Sequence, residues 1–358
     1  MKNNKIIQIG IGLLISGVAL YYTFSGIEWK VFATEIKEIN LYYYSVGCFL
    51  AIFAIYIRAI RWKYLLKPLG NFKVIHLFKG TVVGFFGNYI LPVRMGEVLR
   101  PYITGKFTNY SGTKLFPTIV AERFIDMIAF FVFILLVSIF IPFGEQLNFL
   151  RIIIPIFILF LFIAGLLYYK YKEKIQSHFD SKDSIVHKFL SKLNVGFSSL
   201  FKIDNPLTIF ILSLLIWLCY GLLFYFGLMA FSVESAMTVA SFLLVTTTFA
   251  ITIPAAPGNI GTYHYAVIFT LAMFGIEKSV SSPISVMLHL VGLIPVTILG
   301  IIFYLESHIK IRDIKDNNNF TQSSQRKEEQ FTTKNTKKER IIHHKEHKEH
   351  KERTQRVF

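Results

Sequence analysis

Apolar runs of about 18 or more residues recur along this chain, and a run of that length is the signature of a helix that crosses a bilayer. Full-length runs cover 6–24, 41–60, 119–143, 152–171, 207–231 and 283–305. Two further segments, 74–100 and 240–274, begin as apolar runs and then break. The first breaks at Gly87-Asn88-Tyr89-Ile90-Leu91-Pro92-Val93-Arg94-Met95-Gly96-Glu97 and the second at Ile253-Pro254-Ala255-Ala256-Pro257-Gly258-Asn259-Ile260-Gly261-Thr262-Tyr263-His264. The apolar pieces beside the second break are about 14 residues each, roughly 20 Å of helix, too short to cross comfortably. Both segments therefore read as re-entrant helical hairpins. Interrupted apolar segments at corresponding places in two halves point to a transport site. The expected fold is an all-α integral membrane protein with about six full transmembrane helices and two hairpins in an inverted repeat. The alternative is eight ordinary spans with proline kinks.

Charge supports the hairpins. The chain carries a net +16, with Lys and Arg concentrated before the first run, in 58–118, in 172–206 and in the tail. By the positive-inside rule those segments are cytoplasmic, with both termini inside. If 74–91 crossed fully, the basic 92–118 stretch would lie outside; re-entry keeps every basic loop inside. In a soluble protein such charge would suggest nucleic acid. In a membrane chain it reads as topology and affinity for anionic lipid headgroups, with no nucleic-acid partner. The stretch 6–24 is longer than a signal-peptide core and no A-x-A site follows, so it reads as an uncleaved first span.

The chain divides into a membrane domain, 1–306, and a basic tail, 307–358. The tail lacks apolar periodicity and ends in a His/Lys/Glu-rich run, so disorder is expected. Cys48 and Cys219 fall in apolar runs and give neither a disulfide framework nor zinc spacing.

Charged residues beside the breaks are the candidates for chemistry, because charge at membrane depth is costly unless paired or used. Arg94, Glu97 and Arg100 are spaced i, i+3, i+6, which on a helix puts neighbours on one face. The functional reading is an anionic-headgroup site in which the two guanidiniums bind the headgroup and Glu97 orients them. The bland reading is an ion-pair cluster at the cytoplasmic rim. Glu122, Arg123 and Asp126 open the next span, just before 17 uncharged residues, Met127 to Phe143. They suit a helix N-terminus, a partnership with Arg94 and Arg100, or proton coupling. In the second break, a helix restarting after Gly258, with Asn259, Thr262, Tyr263 and His264, would point backbone N–H groups at an anion. His264 can also titrate near neutral pH, with His289 a weaker candidate. Arg58, Arg61 and Trp62 read as interfacial anchors at the end of a span.

The series Arg58-Ala59-Ile60-Arg61-Trp62, then Gly87-Asn88 to Leu91-Pro92 with Arg94, Gly96, Glu97 and Arg100, then Glu122-Arg123-Phe124-Ile125-Asp126, then Pro254-Ala255-Ala256-Pro257-Gly258-Asn259-Ile260-Gly261, resembles the flippase-like family named after the membrane half of lysylphosphatidylglycerol synthase. The resemblance spans roughly 5–308 and implies lipid translocation. In two-part relatives a soluble aminoacyl-transferase domain follows; no such domain is recognisable after the last span here, so aminoacyl transfer is not expected from this chain. The lipid itself does not carry over from the resemblance.

No P-loop, G-x-S-x-G, H-E-x-x-H or metal-spaced cysteine pair occurs. The expectation is a multi-pass protein of the cytoplasmic membrane that flips a lipid or lipid-linked molecule with a polar, anionic headgroup, without a cofactor. The alternatives are a membrane-embedded transferase using Glu97, Glu122 or Asp126 as base on a lipid-linked sugar, and a non-catalytic partner of a lipid- or glycan-biosynthetic enzyme. A homo-oligomer stays open.

Overall fold

The computed structural model describes residues 2–25, 27–91, 94–108, 110–140, 205–234, 236–253 and 255–307, with isolated positions at 156, 163, 170 and 171. Most of the expected span 152–171, the loop 144–151, nearly all of 172–206, the tail beyond Ser307, and the break residues Pro92, Val93 and Pro254 lie outside the described residues.

Among the described residues the secondary structure is helical, and the chain is an all-α membrane protein. The helices are α1 (Lys2–Phe24), α2 (Trp29–Lys37), α3 (Leu41–Leu66), α4 (Val74–Ile90), α5 (Gly96–Thr108), α6 (Gly112–Phe140), α7 (Pro206–Met229), α8 (Ala236–Ala250), α9 (Thr262–Met273) and α10 (Lys278–Glu306). Three of them, α3 with the 3₁₀ turn that follows it, α7 and α10, are long and apolar enough to cross a membrane. Local chemistry sets their ends. The Asn40 side chain caps α3 by accepting from the Tyr42 and Tyr43 N–H groups. Pro206 opens α7, where a missing N–H costs nothing. Leu91 leaves α4 in an extended conformation, φ −90° and ψ 139°, as the residue before a proline should.

Side-chain pairs fix the directions of the helices. Tyr43 stacks on Phe226 near one end of α3, while Arg61 bonds to Ser213 near the other, so α3 and α7 are antiparallel. Trp62 meets Thr118 and Arg58 meets Glu122, so α6 also opposes α3. Tyr44 bonds to the Met287 carbonyl and Gly47 lies against Val291, so α10 runs with α3.

The two broken segments are antiparallel hairpins. In the first, Gly80 of α4 faces Thr104 of α5, Gly84 faces Arg100, and Gly87 faces Leu99 and Gly96. A methyl group on Gly84 would lie 2.7 Å from the Arg100 Cβ, so small residues at one-turn intervals let α5 close onto α4. In the second, the Thr246 and Thr270 hydroxyls are 2.7 Å apart and Phe242 packs on Phe274. With 17, 13, 15 and 12 residues, the four arms span about 25, 20, 22 and 18 Å. Each is shorter than the roughly 30 Å hydrocarbon core.

The hairpins enter from opposite ends of the bundle. The base of the first lies beside the end of α10, where Lys79 pairs with Glu306 and Phe78 packs on Phe303. The second starts just past the end of α7, where Ala230 accepts from the Asn40 N–H at the start of α3. Their tips meet: Arg94 donates to the Ile251 carbonyl at 3.3 Å, and Gly258 sits against Tyr89. The α1 helix braces the second tip through Ser16 Oγ, which accepts from the Ala256 N–H at 2.7 Å.

Several expected boundaries shift. The segment 25–40, between the first two apolar runs, contains α2, which buries no residue. The first hairpin closes at Thr108 rather than 100, α3 continues to Leu66 rather than 60, α6 opens at Gly112 rather than 119, and α10 opens at Lys278 rather than 283. Apolar runs mark the lipid-facing depth of a helix, whereas capping and breaker residues mark its ends. Arg, Lys and Trp are good enough helix formers to extend α3 until Pro68 and Gly70 stop it.

Candidate functional site

A cluster of charged side chains joins α3, α5 and α6 just below the first hairpin tip. Arg58 and Arg61 stand on one face of α3, Arg100 comes from the first turns of α5, and Glu122 and Asp126 lie one turn apart on α6. Glu122 Oε1 receives Arg58 at 2.9 Å, Arg61 at 3.0 Å and Arg100 at 3.0 Å. Asp126 receives Arg58 at 2.7 Å on Oδ2 and Arg61 at 2.5 Å on Oδ1. All five residues are buried, and Glu122 and Arg61 are fully so. The surroundings hold the fork: Ser213 Oγ accepts from Arg61, and the Trp217 indole donates to the Asp126 carbonyl. The Arg100 guanidinium lies 4.0 Å from the Trp62 ring centroid.

An open rim continues this core. Glu97 lies 3.1 Å from Arg123 and 3.6 Å from Arg94, and Arg123 reaches Asp126 at 3.4 Å. The side chains of Arg94, Glu97 and Arg123 are 42%, 29% and 37% exposed, unlike the core beneath them. Arg94 adopts a left-handed φ of 52°, an uncommon conformation for a residue with a side chain, at the point where the tips touch. Core and rim together hold five guanidiniums against three carboxylates, an excess of two positive charges. The Nε and Nη2 of Arg100, the Nε of Arg58, Arg61 and Arg123, and Glu122 Oε2 are buried with no hydrogen-bond partner among the described residues.

Sequence reasoning offered the Arg100–Glu122 partnership, which forms, but grouped the other residues differently. Arg94 and Glu97 do meet, but Arg94 precedes α5 instead of standing on it, and Arg100 turns away from the rim to Glu122. Arg58, Arg61 and Trp62, read as interfacial anchors, are buried at 3%, 0% and 0% exposure; the two arginines belong to the cluster and Trp62 packs on its Arg100. The missed signal was two arginines three residues apart inside a helix whose next expected partner carried two carboxylates four apart: complementary charge on two apolar spans demands pairing.

The second hairpin supplies no charged side chain here. Gly258, Asn259 and Gly261 take left-handed φ values of 71°, 55° and 98° through its tip. The Thr262 hydroxyl turns back to the Asn259 carbonyl. The start of α9 is packed on α1, where a Cβ on Gly261 would lie 2.5 Å from the Ser16 carbonyl oxygen. Tyr263 and His264 point to α10 and meet His289, with ring centroids 4.8 and 4.9 Å from it. No group of three or more His, Cys, Asp or Glu suited to a metal occurs among the described residues.

The profile of the lysylphosphatidylglycerol synthase TM region matches residues 9–300 of the chain. Two UPF0104 membrane proteins of Methanocaldococcus jannaschii are similar to it. One is 23% identical over 64% of this chain and 98% of its own length, the other 26% identical over 85% and 96%. A UPF0104 membrane protein of Methanothermobacter thermautotrophicus is 24% identical over 63% of this chain and 73% of its own. No solved structure matches significantly.

Proposed function

The chain belongs to the lysylphosphatidylglycerol synthase TM region family, and from that premise we propose that it moves a lipid with an anionic headgroup between the leaflets of the cytoplasmic membrane. The observation that carries this reading is the excess of guanidinium over carboxylate at the meeting point of two hairpins that enter from opposite ends. Uncompensated positive charge at membrane depth is costly, and a phosphate-bearing headgroup is the natural partner for planar guanidinium donors. Arg94 and Arg123, the exposed rim, take the headgroup. Glu97 holds both between visits. The buried core of Arg58, Arg61, Arg100, Glu122 and Asp126 fixes α3, α5 and α6 so that the rim keeps its shape. Acyl chains stay in lipid while the headgroup passes between the tips. The positive-inside rule sets the α3 C-terminal end, with the base of the first hairpin, toward the cytoplasm.

The test is the purified full chain in liposomes with fluorescent phosphatidylglycerol, read by the fraction of label open to an external quencher. Arg94→Ala removes a charge-assisted contact of about 1.5–3 kcal/mol, so headgroup affinity should fall roughly 10- to 150-fold. Arg94→Lys should recover only part, because Lys lacks the planar fork. Normal lipid movement by a well-inserted Arg94→Ala protein would overturn the headgroup assignment. A new lipid product in place of movement would favour the transferase reading.

A further inference from the structure

The groups that the headgroup reading leaves unused lie on the other side of the tip contact. His264 on α9 and His289 on α10 face each other with His264 Nε2 and His289 Nδ1 3.4 Å apart. Tyr263 packs on His289, and Tyr89, from the first hairpin, packs on the same ring at 6.4 Å between centroids. Phe24 of α1 closes the far side of His264. His264 Nδ1 is buried with no hydrogen-bond partner among the described residues. The pair thus sits where α1, α9, α10 and the first hairpin tip converge, one residue away from the Tyr89–Gly258 contact.

We propose that the His264–His289 pair is a proton-binding site that couples proton uptake to separation of the two hairpin tips. The proposal rests on the lipid-movement reading for the process it drives. A neutral pair can share one N–H···N bond while the Ser285 backbone lies beside His264 and the Gly258 backbone beside His289, so one ring nitrogen of the pair is left to take a further proton. The facing titratable groups are Tyr89 from α4 and Tyr263 from α9. The charged groups on neighbouring segments are Arg94 at the first tip and Lys278 at the start of α10, where its ammonium is bonded to the Ser25 carbonyl. Among the described residues no carboxylate bonds to either ring. A proton therefore places a positive charge with no counter-ion among buried rings, with only the Ser285 and Gly258 backbone to receive it, which is costly while the tips are closed. The charged pair is stable only where water reaches it, so protonation favours parted tips, and return to the neutral pair favours closure. Imidazole is the side chain whose ordinary titration falls in the range where such a gradient operates. The balance is simple: one proton enters on a ring nitrogen from one side, and the same proton leaves to the other side when the tips close again.

Two readouts separate this proposal from the lipid reading. Spin labels at Ile90 and Ile260, both exposed and flanking the tip contact, report the tip distance in the full chain in nanodiscs between about pH 5 and 8. The wild-type distance distribution should gain a longer component as pH falls, and His264→Gln or His289→Gln should abolish that response. Lipid movement in liposomes should rise about tenfold over the same range, since a tenfold difference in proton affinity between closed and open tips changes their ratio tenfold. A wild-type tip distance that ignores pH overturns the proposal, and this measurement needs no variant to fold. A pH-dependent distance in a protein that moves no lipid would uphold the proton site and sink the lipid reading instead.

Discussion

Replacing Glu122 with Gln removes one negative charge from the point where three arginines converge. Oε1 of Glu122 is within 3.0 Å of Arg58, Arg61 and Arg100, and its side chain is fully buried. Gln keeps the volume and one acceptor oxygen, so no cavity forms. What changes is charge: Arg58 and Arg61 would keep Asp126, while Arg100 would lose the carboxylate it donates to. Removing one partner of a buried ion pair costs about 3–5 kcal/mol, because the remaining charge is left uncompensated in low dielectric. The retained oxygen places the expected loss near the lower figure, about 3 kcal/mol, or roughly a hundredfold in the folded-to-unfolded ratio. That is a large part of a typical stability of about 5–15 kcal/mol. The assay is thermal unfolding of the full chain in nanodiscs of one lipid composition, for wild type, Glu122→Gln, Arg100→Gln and the double variant. Because Arg100 donates to Glu122 directly, deleting both removes a charge of each sign, and the double variant should be more stable than the sum of the singles by about 1–3 kcal/mol. Wild-type stability in Glu122→Gln, or strict additivity in the double variant, would refute the idea that this cluster is a mutually compensating unit.

Other expectations follow from placement. Lys106→Cys, an exposed position near the base of the first hairpin, should react with a membrane-impermeant thiol reagent applied from the cytoplasmic face; labelling from outside alone would remove the inverted arrangement. A chain ending at residue 312 should insert and retain lipid movement, since the basic tail has no apolar periodicity to contribute to a core; loss of either in that shortened chain would give the tail a structural or regulatory role.

Much of the architecture was legible from the residues alone. Run length and composition specify a helical membrane protein, and the Pro/Gly breaks at Leu91-Pro92 and Pro257-Gly258 specify where two helices must stop short, because proline removes a donor and glycine admits left-handed backbone. Leu91 and the Pro257-Gly258 step lie at the tips of the two hairpins. The clustering of Arg94 and Glu97 was legible too, since three residues separate them. A partnership of Arg100 with Glu122 was also among the sequence readings, and the two meet at 3.0 Å; what the linear pattern did not supply was the share of α3 in the cluster. Arg58 and Arg61 sit at the end of an apolar run, where anchoring at the interface is the common fate of arginine. Only the crossing of α3 with α6 shows that they are buried against Glu122 and Asp126, residues 64 and 68 positions away from Arg58. Likewise His264 and His289 stand out in sequence only as separate titratable side chains and become a pair because α9 folds back along α10. Charge pairing at membrane depth is a requirement that sequence states in general, but which charges meet is decided by helix direction and register, and those are set by packing.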